Sequence, residues 1–91
     1  MQVNVRFIGL FRKYVGEQEK AFDLPDGSSA GELLRLIGLE YGARLPPNLW
    51  DDKSGRFHRS VRVARSNAAL AETDELSDDD EIILLFALAG G

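Results

Sequence analysis

The chain closes on Ala89-Gly90-Gly91, and taken as the chain's end Gly91 offers a main-chain carboxylate with no Cβ beside it. Without Cβ atoms, Gly90 and Gly91 can adopt backbone angles closed to other residues and pass through a narrow channel. A carboxylate is a poor acyl donor until its oxygen becomes a leaving group. Adenylation by ATP supplies that, and a sulfur donor can then displace AMP. The attacking atom must come within about 3–3.5 Å of the acyl carbon, where a side chain on Gly91 would crowd it. Gly91 is therefore the expected reactive position, with Gly90 as the slender link behind it. A frayed end would look the same in isolation; the apolar run 82–88 immediately before it sets this one apart.

Other chemistries have little to work with. The sequence holds no cysteine and one histidine, His58, so it offers no thiolate nucleophile, disulfide, thiolate metal site or His–His pair. Resident catalysis is not expected, and neither is a bound cofactor or metal. The net charge is −4, and Glu72, Asp74, Glu75, Asp78, Asp79, Asp80 and Glu81 crowd into one segment. A phosphate backbone would be repelled by such a surface, which argues against nucleic acid as a partner. The acidic segment reads either as a solvated loop or as an electrostatic guide towards a basic groove on another protein, and the two are compatible. The longest apolar run is too short to cross a bilayer and no basic-then-apolar leader opens the sequence, so a cytoplasmic protein without a membrane partner is expected.

The elements that would hold the tail follow from local pattern. Val3, Val5 and Phe7 alternate with Gln2, Asn4 and Arg6, the period of a half-buried strand. Residues 11–15 can form one helical turn, and residues 19–24 read as a second strand, stopped by Pro25-Asp26-Gly27 and pairing antiparallel with the first. Ser29 and Glu32 have capping-box spacing, and a helix over Ala30–Tyr41 would put Ala30, Leu33, Leu34, Ile37 and Tyr41 on one face. Gly42 is expected to end that helix in the left-handed conformation. Gly31 and Gly38 weaken it by about 1 kcal/mol each relative to Ala. Residues 43–60 carry turn signals throughout, with Trp50 and Phe57 as anchors to the domain; Val61–Arg65 is a third strand, and Leu70 and Leu76 are plugs beneath the acidic segment. Residues 81–88 are apolar nearly throughout, which predicts a central strand buried on both faces, parallel to the first. The fold class is then α+β: a ubiquitin-like β-grasp, a mixed sheet of four to five strands with one main helix across one face. One domain, 1–91, is expected, with its Gly-Gly tail over residues 89–91.

The whole chain resembles the ubiquitin-like sulfur carriers: the molybdopterin-synthase small subunit, the thiamine-pathway carrier and the cysteine-synthesis carrier. The resemblance rests on Val3-Asn4-Val5-Arg6-Phe7, Leu24-Pro25-Asp26-Gly27, Gly31-Glu32-Leu33-Leu34 and the stretch from Leu76 through Asp78-Asp79-Asp80-Glu81-Ile82 to Gly91. Its most specific part is Ala87-Leu88-Ala89-Gly90-Gly91. Where the family shows Gly-Asp before its last strand this sequence has Asp79-Asp80, tolerable because Asp enters the left-handed region. Phe86-Ala87 stands where a proline usually falls, and Ser66 where Asn is common. The resemblance implies that a ubiquitin-activator-like adenylating enzyme forms the Gly91 acyl-adenylate, using ATP and Mg²⁺ of its own. A sulfur donor protein then yields the thiocarboxylate, and a downstream synthase subunit consumes it. Phe86, Leu88 and Ala89 would form an apolar patch for these partners, although Phe86 also reads as a core residue.

The pathway stays open. The long connection argues against the thiamine type; Gly55-Arg56-Phe57-His58-Arg59 resembles the cysteine-synthesis type, and the outline fits the molybdopterin type equally well. Two other classes remain: a ubiquitin-like modifier conjugated through Gly91 to lysines, and a β-grasp interaction module with an inert tail.

Overall fold

The computed structural model describes residues 1–66 and 68–86. Strand β1 (Gln2–Phe7) buries Val3, Val5 and Phe7 completely, as their alternation requires. After a short helix α1 (Leu10–Val15), β2 (Glu19–Asp23) returns antiparallel, with Val3 opposite Phe22 and Val5 opposite Lys20. Helix α2 (Ala30–Tyr41) then lays Ala30, Leu33, Ile37 and Tyr41 into the core. Its first turn leaves few donors stranded. The Glu32 amide donates to Ser29 Oγ at 3.3 Å and the Ser29 amide to Glu32 Oε1 at 3.3 Å, the reciprocal pair expected of the capping box. The Ala30 and Gly31 amides donate to the carbonyls of Asp74 and Glu72, at 2.9 Å each, so the acidic segment is tied to the helix start.

The far end of α2 departs from expectation. Gly42 is right-handed (φ −53°, ψ −37°) and leads into a 3₁₀ turn, Gly42–Arg44, rather than a left-handed cap. The reason is contact, not conformation. A Cβ on Gly42 would lie 2.6 Å from Trp50 Nε1, and one on Gly38 only 2.1 Å from Trp50 Cη2. The two glycines, one helical turn apart, make the slot in which the Trp50 indole is buried.

Trp50 belongs to a ribbon absent from the sequence expectation: β3 (Trp50–Asp51) pairs antiparallel with β4 (Arg56–Phe57) inside the 43–60 connection. Phe57 meets Trp50 edge-on at 4.8 Å and Phe11 of α1 at 5.9 Å, while Leu45 and Leu49 are buried beside them. The anchoring expected of Trp50 and Phe57 is thus realised, and the connection contributes to the core.

Strands β5 (Val61–Arg65), β6 (Ala68–Ala69) and β7 (Glu81–Phe86) complete a five-stranded sheet in the order β2-β1-β7-β5-β6. This is the expected β-grasp: β7 is central, parallel to β1 and antiparallel to β5. Burial on both of its faces is not observed. Ile82 and Leu84 face the core, whereas Ile83 and Leu85, on the opposite face, are only half-buried. A continuous apolar run therefore marks here a strand with one packed face and one apolar open face.

The acidic segment is more than a solvated loop. Asp78 Oδ1 accepts from the Gln2 amide at 2.7 Å, Asp74 Oδ2 from the Ala71 amide at 2.8 Å, and Asp80 Oδ2 from both the Ser77 amide (2.8 Å) and Arg65 (2.7 Å). Asp79 takes φ +66°, the left-handed conformation that its place before the last strand demands. Leu76 is fully packed beneath, with Leu70 at the margin of the core.

Candidate functional site

The candidate site begins where β7 ends. Arg6 and Phe7 stand beside Ile83 and Leu84 in the parallel register, and the Ile8 amide donates to the Leu84 carbonyl at 3.0 Å. On the other flank Arg62 and Val61 face Leu85 and Phe86. The strand is therefore held on the β1 side as far as Leu84 and on the β5 side as far as Phe86. Whatever follows Phe86 departs from a fixed point.

Of the residues assigned a role from sequence, Phe86 alone lies among those described. It is half-buried, shares the core-facing side with Ile82 and Leu84, and packs against the margin of the core. It fills the core edge with one part and leaves the remainder open to solvent. Leu88, Ala89, Gly90 and Gly91 lie outside the described residues.

Two residues not singled out from sequence join this end of the sheet. Ile8 and Leu10 are 41% and 38% exposed, and they directly follow β1, the strand parallel to β7, so they stand at the end where β7 stops. With the half-buried Leu85 of the open face they add apolar surface to an end that the exposed Arg6 and Arg62 also flank. The signal was present: Ile8 breaks the alternation of β1 by placing an apolar residue where a polar one was due. Exposed large apolar groups gathered in one place mark a contact surface more often than scattered ones do.

The surroundings carry little acid–base machinery. His58 uses Nδ1 to accept from the Ser60 amide at 3.0 Å, a local turn contact. Among the described residues no cluster of His, Cys, Asp or Glu could hold a metal ion. The titratable groups with displaced pKa values sit elsewhere. Burial, then the hydrogen bond donated to Glu17, raises the Tyr41 hydroxyl above its usual range. Hydrogen bonds from Ser54 and Lys53 lower Asp51 at the ribbon tip. Among the described residues no helix is long and apolar enough to cross a membrane.

A ThiS family model matches residues 5–91, a span that includes the terminal Gly-Gly. Small archaeal modifier protein 3 of Haloferax volcanii is 27% identical over 95 aligned positions, covering 100% of both chains. Among solved structures, SAMP1 from Haloferax volcanii superimposes with a TM-score of 0.82 at 19% identity, covering 100% of both chains. A putative molybdopterin converting factor subunit 1 from Pyrococcus furiosus gives 0.74 at 20% identity, covering 96% of this chain and 98% of its own. At these identities the structural matches establish the β-grasp fold.

Proposed function

This chain belongs to the ThiS family, whose members are small ubiquitin-like sulfur carriers and modifiers, and from that premise we propose that it carries sulfur on its own main chain, as a thiocarboxylate at Gly91. The observation that supports this most is the extent of the family match, which runs through Gly90 to Gly91. The steps balance simply. The Gly91 carboxylate oxygen attacks the α-phosphorus of ATP and pyrophosphate leaves. Hydrosulfide then adds to the acyl carbon and AMP leaves, giving –C(O)S⁻; with a persulfide donor, a further thiol reduces the S–S bond. ATP and Mg²⁺ belong to a ubiquitin-activator-like adenylating enzyme. The carrier contributes a substrate group rather than catalysis, and needs no cofactor.

Rigid presentation is what the fold adds. Strand β7 is laddered to β1 as far as Leu84 and to β5 as far as Phe86, so an activating enzyme that grips the sheet end would also fix where the acyl group arrives. Phe86, with Leu88 and Ala89 beyond it, and the exposed Ile8 and Leu10 would form the apolar contact for that enzyme and for the synthase subunit that takes the sulfur. The receiving pathway would be of the molybdopterin or cysteine type, and cytoplasmic.

A modifier role is the second reading. It is favoured by the relative aligned over the full length of both chains, which is named a modifier protein. Both uses begin with the same adenylate. Mass spectrometry on material from its native cell separates them: exchange of one oxygen for sulfur in the intact protein marks the carrier, and C-terminal peptides of this chain joined through Gly91 to lysines of other proteins mark the modifier. Gly91→Val should keep the fold by circular dichroism and abolish thiocarboxylate formation with the activating enzyme, ATP and sulfide. A variant that reacts as well as wild type removes the terminal acyl group from the mechanism.

A further inference from the structure

Away from the sheet end, a groove runs between α2, the β3–β4 ribbon and β5. It consists of two adjoining hollows of about 270 and 400 Å³, which share Leu34, Arg56, Phe57 and Glu72. The floor is apolar: Leu34, Phe57, Val61 and Leu70 are half-buried and packed against the core, each with a face left open. The rim is cationic. Arg56 and Arg59 are exposed along it, and Arg35 lines the first hollow. Glu72 is the one acid lining either hollow, and it is engaged by Arg56 at 3.1 Å.

That gathering of guanidinium groups runs against the chain as a whole, whose net charge is −4. An apolar trough edged by arginines is complementary to a chain that alternates apolar side chains with carboxylates, since each guanidinium can take a carboxylate through two hydrogen bonds. The strand edge points the same way. Strand β6 covers β5 only at Ala64 and Arg65, so the Val61 end of β5 has no strand beside it on that edge among the described residues. Nucleic acid fits less well: an apolar floor offers nothing to a phosphate backbone, and the overall charge repels it.

We propose that this groove docks an extended acidic segment of a partner protein, with apolar side chains on Leu34, Phe57, Val61 and Leu70 and carboxylates on Arg35, Arg56 and Arg59. The site goes beyond the carrier reading and does not depend on it. Val61 is the register partner of Phe86, so a partner seated here lies one strand from the end of β7.

The test is a titration of ¹⁵N-labelled protein with a short synthetic peptide alternating Asp with Leu and Phe, beside a control with Lys in place of Asp. Saturable shifts centred on Leu34, Phe57, Val61 and Leu70, weakening as salt is raised, are expected from the acidic peptide alone. Arg59→Glu should weaken that binding about tenfold. The Arg59 side chain is exposed, so melting of the variant should match wild type. The proposal is overturned by any of four results: no saturable shifts, equal binding of the Lys peptide, shifts centred on Ile83 and Leu85 of the open sheet face, or displacement of the peptide by a single-stranded oligonucleotide. Groove shifts that appear on concentrating the protein without peptide would assign the surface to a second copy and overturn it equally.

Discussion

Replacing Gly38 by alanine should destabilise this protein, although the same change in an ordinary helix stabilises it. On propensity alone, Gly→Ala within a helix gains about 1 kcal/mol. At position 38 the added methyl would sit 2.1 Å from Trp50 Cη2, 2.3 Å from Cζ3 and 2.6 Å from Cζ2. Ordinary contacts begin near 3.4 Å, so the indole must retreat by more than about 1 Å. It has little room to do so. Trp50 is 8% exposed, its Nε1 donates to Asp52 at 3.2 Å, and Phe57 stands edge-on at 4.8 Å. Moving the ring therefore also disturbs the β3–β4 ribbon. Overpacking of this kind costs about 1–3 kcal/mol, and a rigid ring wedged against helix backbone belongs at the upper end. After the helical gain is subtracted, a net loss of about 1–2 kcal/mol remains. For a domain of this size that lowers the melting temperature by about 4–16 °C. Urea unfolding of Gly38→Ala, Trp50→Ala and the double variant completes the assay. In the Trp50→Ala background the alanine at 38 should become neutral or stabilising, giving a coupling energy of opposite sign to the propensity term. A Gly38→Ala single variant more stable than wild type would refute the slot and leave Gly38 without a structural reason.

Two further pairs of substitutions test the two faces of β7 and the turn that precedes it. Leu84→Ala should cost about 2–5 kcal/mol because Leu84 is fully buried, whereas Leu85→Ala, on the half-buried open face, should cost nearer 1 kcal/mol. Equal losses in chemical denaturation would mean that the open face is covered in solution. Asp79 sits at φ +66°, so Asp79→Gly should melt close to wild type while Asp79→Val loses about 1–2 kcal/mol; a tolerated valine would show that the turn is not held in the left-handed region.

Most of the frame was legible because it is encoded locally. The alternation in β1, the Ser29–Glu32 spacing, the helical face of α2 and the order of elements leading to a central last strand each depend on neighbours within a few residues. So does the turn at Asp79, where a short polar side chain replaces the expected glycine. What escaped was non-local. The need for glycine at 42 follows from an indole supplied by residue 50, and no pattern around 42 carries that. The ribbon Trp50–Asp51/Arg56–Phe57 is two residues on each side, too short for any periodicity, and it lies among Pro, Asp and Gly that signal turns. The acids of the 72–81 segment look like solvated charge in sequence, while Asp78 accepts from the Gln2 amide and Asp80 from Arg65, partners that only the folded chain brings near.

The open face of β7 follows from the same distinction between local pattern and tertiary placement. An apolar run such as Glu81–Phe86 is compatible with two packed layers or with one layer and a bare face, because periodicity is silent on what lies opposite. With helix α2 on one side only, Ile83 and Leu85 stay half-exposed, and leaving them so gives up burial that a small domain has few other means to recover. Polar residues at 83 and 85 would suit a face directed only at water, since strand pairing is set by the backbone and the opposite face already fixes the register. The apolar choice is thus not explained by folding of the isolated chain. It is explained if the open face is covered when a partner binds, which puts the contact surface of the carrier reading on the strand whose sequence runs on to Gly91.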